Sequence, residues 1–197
     1  MIAPKTAAIV LAAGRSRRMG KANKLLVPVA GVPMVRRVAE TALASRAGPV
    51  IVVTGHEAER VKAVLSDLDL RFVHNPAHAS GVAGSLRAGL AAVPSQCAAV
   101  LVLLGDMPFL RPDTLDALIA ALDPAHGKTV ALPVHHGRRG NPVIWHRTHF
   151  PALMALAGDS GARALLPGLG AALVRLPVDD PGILADVDRA DDLEAQP

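Results

Sequence analysis

Three groups of residues in this chain have the types and spacing to do chemistry. The stretch Leu11-Ala-Ala-Gly-Arg-Ser-Arg-Arg-Met-Gly20, with Lys21 and Asn23-Lys24 just after it, sets small residues beside cations. Small residues at 12–14 let backbone N–H groups come close to a phosphate, and Arg15, Arg18 and Lys24 bring positive charge to the same loop. The chemistry expected there is binding of a nucleoside triphosphate. The spacing is neither G-x-x-x-x-G-K-[ST] of the P-loop nor G-x-G-x-x-G of the dinucleotide fold. The second group is Gly105-Asp106-Met107-Pro108, directly after the apolar run Ala98–Leu104. A carboxylate at the carboxyl end of a central strand is a hard oxygen ligand suited to Mg²⁺. The third is Asp186-Val187-Asp188. Alternation puts both carboxylates on one side of an extended segment, where they could complete a magnesium site with Asp106. A solvated acidic tail is the competing reading, because Asp191, Asp192 and Glu194 follow.

These groups need a scaffold, and the apolar pattern predicts one. Runs rich in Val, Ile and Leu recur at Ala7–Leu11, Val50–Val53, Leu70–Val73 and Ala98–Leu104. Between them, Val35/Val38/Ala39/Ala42, Val61/Val64/Leu65, Leu86/Leu90/Val93 and Leu115/Leu118/Ile119/Leu122 fit helix faces, the last helix having Asp113 at its start. The order βαβαβαβα over 6–122 predicts a doubly wound α/β sheet. Beyond residue 123 the pattern predicts strands at Lys128–Val134 and Pro142–Trp145 around the loop His135–Asn141. It also predicts helices over 147–156 and 161–166, a strand at Ala172–Leu176 and a short helix from Arg189. No repeat or linker divides the chain, so residues 1–197 are expected to form one domain: a nucleotide-binding half over 6–122 and an acceptor half over 123–197.

Charge and composition narrow the function. Residues 1–39 hold eight basic side chains and no acid, whereas 179–197 hold seven acids and one Arg. With three Phe, one Trp and no Tyr, the chain lacks the stacking aromatics of single-strand binders, so a small polyanion fits the basic cluster better than nucleic acid does. The single cysteine, Cys97, permits no internal disulfide and is expected to be a buried, inert thiol. The N-terminal apolar stretch Thr6–Ala13 is too short to span a bilayer and has its charges on the wrong side for a signal peptide, so a cytoplasmic protein without membrane contact is expected. Eight histidines are present, but no cysteine has a zinc-ligand spacing to them. His56 is read as polar lining of the nucleotide pocket, and Arg36 and Arg37 are given no role.

Read together, the motifs resemble those of the molybdopterin nucleotidyltransferases, the molybdenum cofactor cytidylyltransferase group in particular. They are L-A-A-G-x-S-x-R-M-G-x-x-N-K-L-L at 11–26, V-T-G-H-E at 53–57, N-P-x-x-x-x-G at 75–81 with S-L at 85–86, G-D-M-P at 105–108, R-G-N-P-V at 139–143, G-D-x-G-A-R at 158–163 and D-V-D at 186–188. The resemblance spans residues 6 to about 193. It implies a three-layer α/β/α, Rossmann-like nucleotidyltransferase fold with a mostly parallel central sheet. By the same resemblance Ala12, Ala13 and Gly14 would lie against the nucleotide, Arg18 and Lys24 on its phosphates, and Gly81 and Ser85 near base and ribose. Asp106 and Asp188 would hold Mg²⁺, with Asp186 as neighbour or alternate ligand. Arg138, Arg139, Gly140 and Asn141 would meet a phosphate on the pterin acceptor, and Asp159, Gly161 and Arg163 would close over it. The chain departs from the group at Arg189-Ala190, where Thr-Pro is usual, and at Val82, where Met is usual.

The function this resemblance implies is transfer of CMP from CTP to the phosphate of molybdopterin, with a molybdenum hydroxylase as the eventual recipient of the product. Ala13, where the guanylyltransferase branch has Gly, favours CTP over GTP. Alternatives left open are a guanylyltransferase, transfer to another phosphorylated acceptor such as a sugar phosphate, and a carrier of the cofactor that does no catalysis.

Overall fold

The structure, a computed structural model, describes residues 5–14 and 23–187. Arg15, Arg18, Asp188 and the helix expected from Arg189 lie outside the described residues. The chain begins with strand β1 (Lys5–Ala12), followed by a small antiparallel hairpin of β2 (Pro28–Val29) and β3 (Val32–Pro33). Then come α1 (Met34–Ala44), β4 (Val50–Thr54), α2 (Ala58–Ala63), β5 (Arg71–His74), α3 (Val82–Ala91), β6 (Cys97–Leu104) and α4 (Pro112–Ala120). The later part supplies β7 (Val130–His135), β8 (Arg138–Arg139), β9 (Val143–His146), α5 (Phe150–Met154) and β10 (Leu173–Pro177).

The strands form one sheet in the order β10-β7-β9-β6-β1-β4-β5, with β8 attached to β7. Strands β1, β4, β5 and β6 run parallel. β10 is parallel to β7. Only β9, among the strands on that path, opposes its neighbours, pairing antiparallel with β6 and β7. The sheet is therefore mixed but mostly parallel.

Alternation along β1 explains the layers. Ala8, Val10 and Ala12 pack into a core with Val35 and Val38 of α1 and Leu115 and Leu118 of α4. Ala7 and Ile9 face the opposite core, with Leu86 and Leu90 of α3 and Leu153 of α5. A strand covered on both sides must be apolar at consecutive positions, which is why the sequence shows runs rather than alternation. Each large aliphatic side chain so buried contributes about 1.5–3 kcal/mol.

Several local expectations change. The second helix ends at Ala63, with Val64 and Leu65 in the turns that follow. The region 147–156 divides into a 3₁₀ turn, Arg147–His149, and α5. The helix expected over 161–166 is a 3₁₀ stretch, Ala162–Ala172, that contains Pro167 and breaks at Gly170, whose φ and ψ (50° and −122°) are not helical. Proline there removes a backbone donor and disfavours a regular α-helix. Cys97 is buried, and burial pushes its thiol above the usual range. Among the described residues no helix is long and apolar enough to cross a membrane.

The order of strands sets the place for a site. The chain builds β4 and β5 on one side of β1 and then crosses to place β6 on the other. Such a reversal leaves a crevice at the carboxyl ends of the two central strands, here after Ala12 of β1 and Leu104 of β6.

Candidate active site

Both central motifs emerge at that crevice. Gly105 donates its N–H to the Leu11 carbonyl at 3.0 Å, so the turn after β6 lies directly on the end of β1. A Cβ on Gly105 would stand 3.0 Å from that carbonyl and 3.2 Å from Leu25, so glycine allows this close approach. Asn23 caps the 3₁₀ turn Lys24–Leu26 by accepting the Leu25 N–H at 3.1 Å, and Leu25 is buried beneath it. The turn aims Lys24 at the second motif: its Nζ donates to Asp106 Oδ2 at 2.6 Å, with 15% and 20% of the two side chains exposed. The other oxygen, Asp106 Oδ1, is buried and has no hydrogen-bond partner among the described residues.

The V-T-G-H-E segment closes the β4 side. The His56 N–H donates to the Ala13 carbonyl at 3.3 Å. Glu57 adopts a left-handed conformation, and the Arg60 guanidinium, donating at 2.5 Å, holds its carboxyl below the usual range. Ala12 and Ala13 are buried, whereas a Cβ on Gly14 would meet no atom of the described residues within 4 Å.

A cleft of about 490 Å³ opens from this edge toward the later half of the chain. Its apolar side includes Leu11, Leu86, Leu104, Met107 and Val143, and its polar side holds Arg138, Arg139, Asn141, Asp159, Arg163 and Asp186. Residues from β8, from the loop before the 3₁₀ stretch and from near residue 186 thus meet in one cavity. Gly140 does not line it. Its N–H bonds the Pro133 carbonyl at 2.9 Å, and a Cβ there would collide with Ile183, so this glycine serves packing in the structure.

Gly81 and Ser85 also take positions that the motif alone does not give. Gly81 has φ +113°, and its α-carbon lies against the backbone of Gly158; the Ala83 N–H donates to the Gly158 carbonyl at 3.1 Å. The loop before α3 therefore rests on the G-D-x-G loop. Ser85 is 5% exposed and its hydroxyl accepts from Asn75 Nδ2 at 3.0 Å. Asn75 also accepts the Ala77 N–H at 3.1 Å and donates its own N–H to the Thr54 carbonyl at 2.8 Å, so it organises the whole loop. The N-P-x-x-x-x-G pattern contains Asn75 but carries no local signal of this bonding.

The acidic segment returns to the same place. The Val187 N–H donates to the Asp106 carbonyl at 3.0 Å, and the Val187 side chain is buried with Val29 and Met34. Asp186 reaches the cleft and Asp188 lies outside the described residues. The two arginines of the first helix find partners. Arg36 binds Asp67 at 2.6 Å and Glu40 at 2.8 Å. Arg37 donates to the carbonyls of Pro108 at 3.2 Å and Val29 at 3.4 Å, tying α1 to the G-D-M-P turn.

Known proteins resemble this chain in sequence and fold. The MobA-like NTP transferase domain matches residues 8–175. The chain belongs to this family. Purine catabolism protein PucB of Bacillus subtilis is 33% identical to this MobA-like chain over 213 residues, covering 98% of the chain and 97% of PucB. A "Probable molybdenum cofactor guanylyltransferase" of Natronomonas pharaonis is 36% identical over 125 residues, 64% of this chain and 60% of that protein. Bifunctional protein GlmU of Alkalilimnicola ehrlichii is 41% identical over 116 residues, 58% of this chain, and the chain spans about a quarter (25%) of that relative's length. Among solved structures, a nucleotidyl transferase from Methanothermobacter (Mth528) superposes with TM-score 0.84 at 26% identity, covering 97% of this chain and 95% of that one. Rv0371c of Mycobacterium tuberculosis in complex with manganese gives 0.78 at 28% identity, covering 97% of both chains.

Proposed function

We propose that this MobA-like chain transfers CMP from CTP to the phosphate of molybdopterin, with or without molybdenum bound, and releases pyrophosphate. The observation that carries the reading is an ion pair at the ends of the central strands next to a cleft whose polar side is rich in arginine. Lys24 and Asp106 stand at the ends of the central strands, and Arg138, Arg139 and Arg163 stand on the polar side of the adjoining cleft. Two phosphorylated substrates entering from these two sides would place one phosphate oxygen beside the other substrate's phosphorus.

In the reaction an oxygen of the acceptor phosphate attacks the α-phosphorus of CTP in line. A new P–O bond forms while the bond from the α-phosphorus to the bridging oxygen of the β-phosphate breaks, and the electron pair leaves with pyrophosphate. The attacking oxygen is already anionic, so no side chain has to remove a proton. The work left to the protein is positioning and charge stabilisation. Lys24 would neutralise the triphosphate from the strand ends, together with Arg18 and Arg15 of the preceding loop. Ala12, Ala13 and Gly14 would offer backbone N–H groups, and the loop of Gly81 and Ser85 would border the base. Arg138, Arg139 and Asn141 would grip the acceptor phosphate, with Asp159 and Arg163 across the cleft, while the apolar side takes a flat ring and excludes water.

Asp106 suits a hard cation: it is a carboxylate with one buried oxygen that has no hydrogen-bond partner among the described residues. Mg²⁺ bound by Asp106, with Asp188 or Asp186, would supply positive charge to the triphosphate. GTP as donor is the second reading, favoured by the similarity to the Natronomonas protein; Ala13 favours CTP. A cytoplasmic setting and a molybdenum hydroxylase as the recipient of the product belong to the same proposal.

The test is pyrophosphate release with each of the four triphosphates, with and without molybdopterin, followed by mass spectrometry of the product. A CMP adduct supports the proposal, a GMP adduct supports the second reading, and an adduct formed only on a sugar phosphate overturns both. Asp106→Ala is expected to lower the rate by at least about 100-fold while the fold survives. Full activity in that variant overturns the site.

A further inference from the structure

Asp180 lies outside the cleft, yet it is 2% exposed and both its oxygens are engaged. Oδ1 accepts the Gly182 N–H at 3.0 Å. Oδ2 accepts the Arg111 N–H at 3.2 Å and the Thr114 hydroxyl at 2.7 Å. The Arg111 guanidinium adds charge 4.0 Å away. A buried carboxylate is costly unless it is satisfied in this way, and the bonds it makes here are directional.

The partners belong to two segments that lead to the proposed cation ligands. Arg111 and Thr114 open α4, whose own cap position supplies no side-chain hydrogen bond, and they follow Asp106 closely in the chain. Gly182 lies in the turn Pro181–Leu184 that precedes Asp186. The two segments touch at further points, among them the Arg111 guanidinium donating to the Asp179 carbonyl at 3.0 Å. A Cβ at Gly182 would strike the Phe109 carbonyl, and Val187 bonds the Asp106 carbonyl at 3.0 Å.

We propose that Asp180 is a positioning residue for the cation site: it latches the segment bearing Asp186 onto the loop bearing Asp106, and so fixes the spacing of these two carboxylates. This inference rests on the reading of Asp106 as a cation ligand. An apolar residue of similar size would fill the space but would not set the direction in which the later segment runs.

The experiment measures Mn²⁺ affinity of the full chain by electron paramagnetic resonance, with CTP present, in wild type, Asp180→Asn, Thr114→Val, Asp113→Asn and Asp106→Ala. Asparagine keeps the volume but turns one acceptor into a donor that faces donors. Asp180→Asn is expected to weaken Mn²⁺ binding by about 10–100-fold, the range seen when residues that orient metal ligands are changed. The Mg²⁺ concentration for half-maximal rate is expected to rise in step, with the CTP KM at saturating cation unchanged. Thr114→Val removes a single bond, is expected to weaken Mn²⁺ in the same direction by less, and decides the matter if Asp180→Asn does not fold. Asp113→Asn, in the first turn of the same helix, is expected to lower thermal stability without moving Mn²⁺ affinity, which separates positioning from helix capping. Wild-type Mn²⁺ affinity in both Asp180→Asn and Thr114→Val overturns the inference. Wild-type affinity in Asp106→Ala overturns it together with the site. Weakened Mn²⁺ binding in Asp180→Asn, in a protein that adenylylates, cytidylylates or guanylylates no acceptor, upholds the latch and overturns the proposed function alone.

Discussion

Replacing Gly81 by alanine asks whether the loop before α3 and the G-D-x-G loop are mechanically one unit. Gly81 has φ +113° and ψ 169°, a region open essentially to glycine, and holding alanine there costs about 1–3 kcal/mol. The added methyl would also collide with the carbonyl group of Gly158 and stand 2.7 Å from the Asp159 nitrogen. These are backbone atoms, so relief requires moving a loop, and overpacking of this kind adds roughly 1–3 kcal/mol. The expected loss is therefore about 2–6 kcal/mol, a large part of the 5–15 kcal/mol that holds a typical domain together. Gly158→Ala is the internal control. Its φ is +58°, but nothing among the described residues lies within 4 Å of a Cβ there, so only the left-handed backbone cost of about 1–2 kcal/mol applies. Urea unfolding of both variants gives the stabilities, and Michaelis constants for both substrates give the coupling. Gly81→Ala is expected to raise KM for nucleotide and for acceptor together, because Asp159 and Arg163 sit beyond the displaced contact. If Gly81→Ala costs no more stability than Gly158→Ala, or moves one Michaelis constant alone, the loops are independent and the reasoning fails.

Other outcomes follow from burial and charge. Leu101, fully buried in β6 between β1 and β9, is expected to cost about 2–5 kcal/mol as Leu101→Ala in chemical denaturation, whereas Met154→Ala, at the exposed position, is expected to change stability by under about 0.5 kcal/mol. The Arg36 guanidinium holds the Asp67 carboxyl down to about 2 from 3.8, so the pair's contribution is fully present above pH 3.8 and is lost as pH falls through 2. An acid titration of unfolding should show that step in wild type and not in Asp67→Asn; identical acid limbs would remove the pair from the account of stability.

The parts of the fold that were legible in the sequence are those fixed by short-range pattern. Continuous apolar runs located β1, β4 and β6 to within two residues, because a strand covered on both faces cannot afford a polar position. The carboxyl-end turns were legible for a related reason: Gly105 and Asp106 follow such a run directly. What depends on distant partners was not. Nothing local in Val143–His146 states that β9 runs against β6 and β7, since that choice comes from the strands it meets. Asp180 looked like one acid in an acidic run, and only its bonds to Arg111 and Thr114 set it apart. Gly140 carried the signal of a loop glycine, yet its requirement comes from Ile183, which is far away in the chain.

The placement of Arg138 and Arg139 bears on how such a protein can diversify. They stand exposed on a two-residue strand attached to β7 and contribute no side chain to either core. Substitutions at exposed positions of that kind usually change stability by less than about 0.5 kcal/mol. Asp106, by contrast, sits at the end of the central strand β6, against Lys24 and the backbone of Val187. On the proposed reading of the two substrates, a lineage descending from this chain can therefore sample new acceptor contacts at Arg138 and Arg139 almost without thermodynamic penalty, while the Asp106 end is held by the middle of the sheet and has far less room to drift.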